Sequence, residues 1–157
     1  MGNEIERKFL TLNRMYRDLT KGVLYKQGFL SSNSERVVRV RIAGNKGYLT
    51  VKGPHIGISR VEYEYEIPVN DADEMLEDLC IRPLIEKHRY TLSYEGFTWE
   101  IDEFHGENEG LVVAEIELEY ESQKFKIPDW IGNEVTGDLR YYNSNLLVNP
   151  YCKWSNT

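Results

Sequence analysis

Stretch after stretch of this chain alternates apolar and polar residues with period two, and nearly every polar position in the pattern is ionisable. Period two marks a strand, whose successive side chains point to opposite faces. Residues 4–10, 37–42, 48–52, 60–67, 84–94, 97–104 and 111–119 all read this way. Grouped by parity, one face carries Glu4, Glu6, Lys8, Arg39, Arg41, Lys52, Glu62, Glu64, Lys87, Arg89, Glu100, Asp102, Glu115 and Glu117. The other carries Ile5, Val38, Val40, Leu49, Val51, Tyr63, Tyr65, Trp99, Ile101, Ile116 and Leu118.

One reading is a half-buried antiparallel sheet with its charged face in solvent. A solvent face, however, normally mixes Ser, Thr and Gln with its charges. Here the signs are also grouped by strand: Arg39/Arg41 and Lys87/Arg89 are cationic, and Glu62/Glu64, Glu100/Asp102 and Glu115/Glu117 are anionic. Like charges two apart repel unless something lies between them. An anion between the cations and a divalent metal between the acids would relieve both, because Mg²⁺-type ions prefer carboxylate oxygens and Arg and Lys suit phosphate. A phosphate chain chelated to a divalent metal fits this inventory.

Between the strands, residues 44–47 suggest a hairpin with a four-residue loop, and Glu95-Gly96 a tight turn. Asp71 with Glu74 forms a capping box for a helix with Met75, Leu76 and Leu79 on its apolar side, ended by Arg82-Pro83. Further short helices are expected at 12–20 (Leu12, Met15, Tyr16 and Leu19 on one side), at 121–133 broken by Pro128, and at 138–147. The last has Leu139, Tyr142, Leu146 and Leu147 opposite Asp138, Arg140 and Asn143, and is predicted to pack at one mouth of the site and influence access. The class is α+β, mainly β, with seven or eight antiparallel strands in a curved sheet or closed barrel.

A length of 157 residues favours one domain, 1–157, and 41% hydrophobic residues argues against disorder. A net charge of −7 disfavours a nucleic-acid or membrane partner, which calls for a basic surplus. No secretory signal and no apolar run of transmembrane length is seen, which predicts a cytoplasmic protein with Cys80 and Cys152 as free thiols, one disulfide between them being the alternative. His55, His88 and His105 keep no metal-ligand spacing, and no phosphate loop or nucleophile elbow is present.

The segment Glu4-Ile5-Glu6-Arg7-Lys8 is an ExExK motif. It is followed in order by Arg39-Val40-Arg41, Leu49-Thr50-Val51-Lys52, Arg60-Val61-Glu62-Tyr63-Glu64, Glu86-Lys87-His88-Arg89-Tyr90, Trp99-Glu100-Ile101-Asp102-Glu103-Phe104 and Ala114-Glu115-Ile116-Glu117-Leu118-Glu119, and then by Glu134 to Asp138, Arg140-Tyr141 and Asn143. As an ordered set over about residues 3–147, these motifs resemble the CYTH superfamily, also called triphosphate tunnel metalloenzymes, and most of all its short bacterial members. The resemblance implies an eight-stranded antiparallel barrel with the charged face inward and the apolar face under outer helices. It implies metal (Mg²⁺ or Mn²⁺) on Glu4, Glu6, Glu115 and Glu117, and a triphosphate on Lys8, Arg39, Arg41, Lys52, Lys87 and Arg89. Glu62, Glu64, Glu100 and Asp102 would orient those cations or a second metal, and Lys87 is the candidate general base.

The expected activity is hydrolysis of a small-molecule triphosphate, inorganic tripolyphosphate ahead of thiamine or nucleoside triphosphate. Two alternatives stay open: a class IV-type adenylate cyclase, whose His-Phe pair before the motif is missing here, and a non-catalytic polyphosphate or nucleotide sensor. A homodimer through exposed apolar strand faces is a further open alternative.

Overall fold

A computed structural model describes residues 2–154; the ends of the expected domain, Met1 and residues 155–157, lie outside them. Eight strands build the sheet, each antiparallel to its neighbours around it: β1 (Gly2–Thr11), β2 (Val23–Asn33), β3 (Arg36–Ala43), β4 (Lys46–Ile56), β5 (Ser59–Ile67), β6 (Ile81–Tyr94), β7 (Phe97–Phe104) and β8 (Val112–Glu117). They run in the order β5-β4-β3-β2-β6-β7-β8-β1, and β1 pairs with β5 to close an antiparallel barrel. Closure leaves no free sheet edge among these eight. A short β9 (Ile131–Glu134) lies along the second half of β1, on the edge that β5 uses along the first half.

The register realises the parity read from the sequence. Lys8 stands opposite Glu115 and Glu115 opposite Glu100, while Arg39, Thr50 and Glu64 form a row across three strands. Charges therefore point inward. At one end of the barrel the same inward face turns apolar: Phe29, Val37, Ile85, Phe104 and Val113 pack with Tyr141, Leu146 and Leu147 of the C-terminal segment. This plug gives the charged interior a hydrophobic floor.

Outside, the apolar face needs covers. Helix α2 (Val69–Asp78) lays Ala72 and Leu76 over Val40 and Leu49. The one-turn α1 (Tyr16–Leu19) and the 120–131 segment cover Ile5, Phe9, Trp99, Ile101, Ile116 and Leu118 with Tyr16, Phe125 and Trp130. The expectation that all apolar positions lie under helices is corrected at Val51, Tyr63 and Tyr65, which remain exposed beyond the reach of α2.

Other local expectations are also corrected. Residues 121–133 form no helix: Pro128 interrupts, and the backbone instead pairs with β1 through Leu12 N–H to Trp130 O and through β9. Residues 138–147 are two 3-10 turns, Leu139–Tyr141 and Asn145–Leu147, with Tyr142 extended between them. That break lets Tyr141 join the plug while Tyr142 and Asn143 face the interior, which a continuous helix would not allow. In 12–20 only the last turn is helical and only Tyr16 is buried there; Leu12, Met15 and Leu19 are exposed.

Helix α2 starts at Val69 on Pro68, with no side-chain cap from Asp71, because the chain turns directly out of β5. It ends at Asp78, so Arg82-Pro83 falls inside β6. The β3–β4 turn has two residues, with Gly44 at φ 60°, so Lys46 and Gly47 belong to β4. Strand β2 was not foreseen, because its inward face (Tyr25, Gln27, Phe29) lacks the charge signature; Gly28 is required there, where a Cβ would sit 2.7 Å from the Leu84 side chain.

Tyr16 is fully buried and donates its hydroxyl to Glu103, which also takes both Arg17 N–H groups at 2.7 Å. Tyr16→Phe removes a hydrogen bond to a buried charged acceptor outside the tunnel. It should lower stability by about 2 kcal/mol in urea unfolding.

Candidate active site

The barrel encloses a cavity of about 220 Å³. Seven carboxylates line it (Glu4, Glu6, Glu62, Glu64, Glu100, Glu115, Glu117) and seven cations (Lys8, Arg39, Arg41, Lys52, Arg60, Lys87, Arg89). Of the residues expected from the sequence, only Asp102 stands back from the lining. It is 1% exposed, behind Lys87 and Arg89.

Asp102 accepts from Lys87 Nζ at 2.7 Å and from Arg89 Nε and Nη2 at 2.8 and 2.9 Å. Burial works against its charge, but Arg89 and Lys87 outweigh burial and hold its carboxyl well below the usual range. With both oxygens engaged, Asp102 orients cations. Lys87 is itself pushed down to about 7, by burial first and by Arg89 and Arg41, with Asp102 opposing. The two shifts agree physically: the pair keeps its negative end firmly, and the cation crowd loosens the Lys87 proton.

The cations are unevenly matched. Lys8 lies 3.2 Å from Glu6 and 3.3 Å from Glu115, and Lys52 lies 3.1 Å from Glu4 and 3.3 Å from Glu62. Burial opposes the Lys8 charge, but Glu115, Glu6 and Glu4 hold its proton tightly. Arg39 reaches Thr50 and, at 3.4 Å, Glu64, while its buried Nε has no partner among the described residues. Arg41 donates Nε to Gln27 at 2.8 Å and forms no ion pair there. Burial, then Arg39 and Arg89, push its guanidinium down from the ordinary value. The Tyr25 ring lies 4.8 Å from the Arg41 guanidinium and 4.9 Å from that of Arg89, so an aromatic spacer separates the two cationic strands.

On the acidic side, Glu6 stands directly opposite Glu117, and Glu100 opposite Glu115, a destabilising arrangement for bare like charges. Glu115 is raised by burial and then by Glu6; Glu117 is raised by burial and then by Glu4, Glu100 and Glu115. Glu4 is raised by burial, against Lys52, while Glu62, which shares a hydrogen bond with it, is lowered. Among the described residues no three metal-ligating side chains converge on one point. The acids meet in pairs, Glu6 with Glu115 and Glu4 with Glu62. That donor set suits an ion of the Mg²⁺ kind, which keeps waters and takes one or two carboxylates plus substrate phosphates. It does not suit an ion needing an all-protein cage.

Several lining residues escaped the sequence reading. Arg60 is aimed by donating Nε and Nη2 to Gly53 O at 2.9 and 2.7 Å. His55 stacks on Tyr142 at 4.9 Å and 9°, joining the β4–β5 hairpin to the C-terminal segment; burial, Arg60 and Lys8 push its imidazole down to about 4, so it is neutral at pH 7. Asn143 accepts from Lys87 and Gln27, both at 2.8 Å. Of these, Arg60 shares the inward parity of Glu62 and Glu64 and so was within reach of the pattern, whereas uncharged Asn143 and its buried partner Gln27, which is not in the lining, give no such signal.

Known proteins resemble this chain over nearly its whole length. An inorganic triphosphatase of Acetivibrio thermocellus is 63% identical over 151 residues, 96% of this chain and 97% of that one. An inorganic triphosphatase of Nitrosomonas europaea is 36% identical over 149 residues, 92% of this chain and 97% of that one. A solved inorganic triphosphatase structure, 32% identical, superposes with a TM-score of 0.64 over 92% of this chain and 97% of its own. The CYTH domain matches residues 2–149, and the chain belongs to the CYTH family.

Proposed function

We propose that this barrel is an enzyme that hydrolyses a triphosphate in its charged tunnel, with inorganic tripolyphosphate as the first substrate. The observation that carries this reading is segregation of charge within one cavity. Arg41 lines it without an ion pair, Arg39 has only a 3.4 Å contact to Glu64, and Glu6, Glu115 and Glu117 crowd one another opposite. An anionic chain bridged to a divalent cation satisfies both halves. The inorganic triphosphatases of Acetivibrio thermocellus and Nitrosomonas europaea support the reaction, and the family's general metal dependence supports the ion.

In this reading Lys8, Arg39, Arg41, Lys52, Lys87 and Arg89, joined by Arg60, hold the phosphate oxygens. Glu4, Glu6, Glu115 and Glu117 would hold Mg²⁺ or Mn²⁺, which when bound neutralises phosphate charge and lowers the pKa of coordinated water. Glu64 fixes Arg39 directly and through Thr50, Glu62 fixes Lys52, and Glu100 and Asp102 fix Arg89. Lys87 accepts the proton of the attacking water through its neutral amine. The new P–O bond forms as the terminal phosphoanhydride bond breaks, giving orthophosphate and pyrophosphate, whose new oxyanion stays among the arginines. With Cys80 and Cys152 both unbridged, we place the enzyme in a reducing cytoplasm.

Three outcomes are expected. Purified protein should release phosphate from tripolyphosphate with Mg²⁺ or Mn²⁺, and Glu6→Ala should abolish the release; no release with either metal, or cyclic AMP formed from ATP, would overturn the hydrolase. Lys87 must be unprotonated to act as base, so kcat should rise with pH through about 7. Lys87→Ala should lose roughly 100-fold or more of kcat together with that limb. Tripolyphosphate with metal at about a hundred times its Kd should stabilise the fold by about 2.7 kcal/mol in thermal unfolding, and Arg41→Ala should shrink that gain.

A further inference from the structure

Two uncharged side chains tie the cationic strands together deep in the barrel. Gln27 is fully buried in β2, and Asn143 comes from the extended link between the two C-terminal 3-10 turns. Arg41 Nε donates to Gln27 Oε1 at 2.8 Å, Gln27 Nε2 donates to Asn143 Oδ1 at 2.8 Å, and Lys87 Nζ donates to the same Oδ1 at 2.8 Å. The direction of this chain is fixed from its Arg41 end. Arginine only donates, so the Gln27 oxygen must face Arg41, its amide N–H then points to Asn143, and the Asn143 oxygen must accept it on the side that also meets Lys87.

Lys87 Nζ has four tetrahedral positions, one taken by its own Cε. Asp102 Oδ2 takes a second at 2.7 Å and Asn143 Oδ1 a third at 2.8 Å. Only one direction remains. In the ammonium form it holds the third N–H; in the neutral amine, whose two N–H groups serve the two acceptors, it holds the lone pair. Lys87 lines the cavity, whereas Asp102 sits behind it, so this last direction opens toward bound phosphate and water.

We infer that Gln27 and Asn143 are positioning residues that aim the free valence of Lys87 into the tunnel, and that the C-terminal segment thereby completes the reaction centre. The inference rests on the hydrolase reading and adds to it a requirement for an acceptor at position 143, whose lack of charge sets the pH at which Lys87 is free to act. Two N–H groups pinned to two acceptors cannot compete for the lone pair. With Asn143 removed, the amine rotates about Cε–Nζ and presents N–H or lone pair to the substrate indifferently. A carboxylate at 143 would keep the aim but add a second negative charge beside an ammonium that already faces Asp102 and Glu115 against Arg89 and Arg41.

The test is steady-state hydrolysis of tripolyphosphate with Mg²⁺ across pH 5.5–9.5, for wild type, Asn143→Leu and Asn143→Asp. Asn143→Leu should lower kcat about 100-fold, as misplacement of a reacting group does, with KM changed less than about threefold. Asn143→Asp should recover most of kcat at high pH, with the acidic limb moved up by about one unit because the new carboxylate favours the ammonium. Wild-type kcat in Asn143→Leu, or an unmoved limb in Asn143→Asp, would overturn the positioning role. So would a KM defect without a kcat defect. If Asn143→Leu does not fold, the Asn143→Asp profile decides alone. Absence of turnover in wild type would instead sink the hydrolase reading, so the two failures are distinguishable.

Discussion

Asp102 lies wholly buried with Lys87 on one side and Arg89 on the other, and the interior of the barrel is organised around that triad. A lone buried charge is among the most destabilising features a fold can carry, and a paired one is tolerable only when its hydrogen bonds are complete. Asp102 meets that condition with three donors. Arg89 is thereby held firmly charged, while Lys87 shares the carboxylate with it and is left with a loosened proton. The same solution to burying charge would supply the amine that the proposed reaction needs for proton transfer.

Turning a charged face inward has consequences for the rest of the molecule. The apolar parity must be covered from outside, and the covers differ around the barrel: an amphipathic helix over β3 and β4, and aromatic side chains of an irregular segment over β1, β7 and β8. The far end of the interior is filled by Phe29, Ile85, Phe104 and the C-terminal residues Tyr141, Leu146 and Leu147. This apolar filling is also a platform. It fixes the segment from which Tyr142 and Asn143 reach the cavity, so packing at the base of the tunnel and polar contacts at its centre are consequences of one another.

Within the cavity the charges are only partly neutralised: Lys8, Lys52 and Arg89 have close carboxylates, while Arg41 has none and Arg39 only a long contact. The acids oppose acids across β1, β7 and β8, and the arginines of β3 lack carboxylates of their own apart from the long contact to Glu64. The protein leaves electrostatic complementarity unfinished in its own structure. In the proposed reaction a phosphate chain with a divalent ion would complete it, and that balance would supply affinity and transition-state stabilisation alike.

What the sequence determined by itself is the set of inward charges and their grouping by strand. Period-two alternation is a local property, and a closed barrel only amplifies it, so Glu4 through Glu117 could be placed on one face without coordinates. The ordered motifs then made the family legible. Tertiary structure decided what alternation does not encode. Strand β2 was invisible because its inward residues are Tyr25, Gln27 and Phe29, whose role is set by neighbours across the barrel. Residues 138–147 carry a helical pattern of apolar side chains, yet the need to send Tyr141 into the plug and Asn143 to Lys87 broke the helix in two. His55 meets Tyr142 from 87 positions away along the chain, and Gln27 meets Asn143 from more than a hundred. No local pattern predicts such contacts, because they exist only once loop closure has brought distant segments to the same end of the barrel.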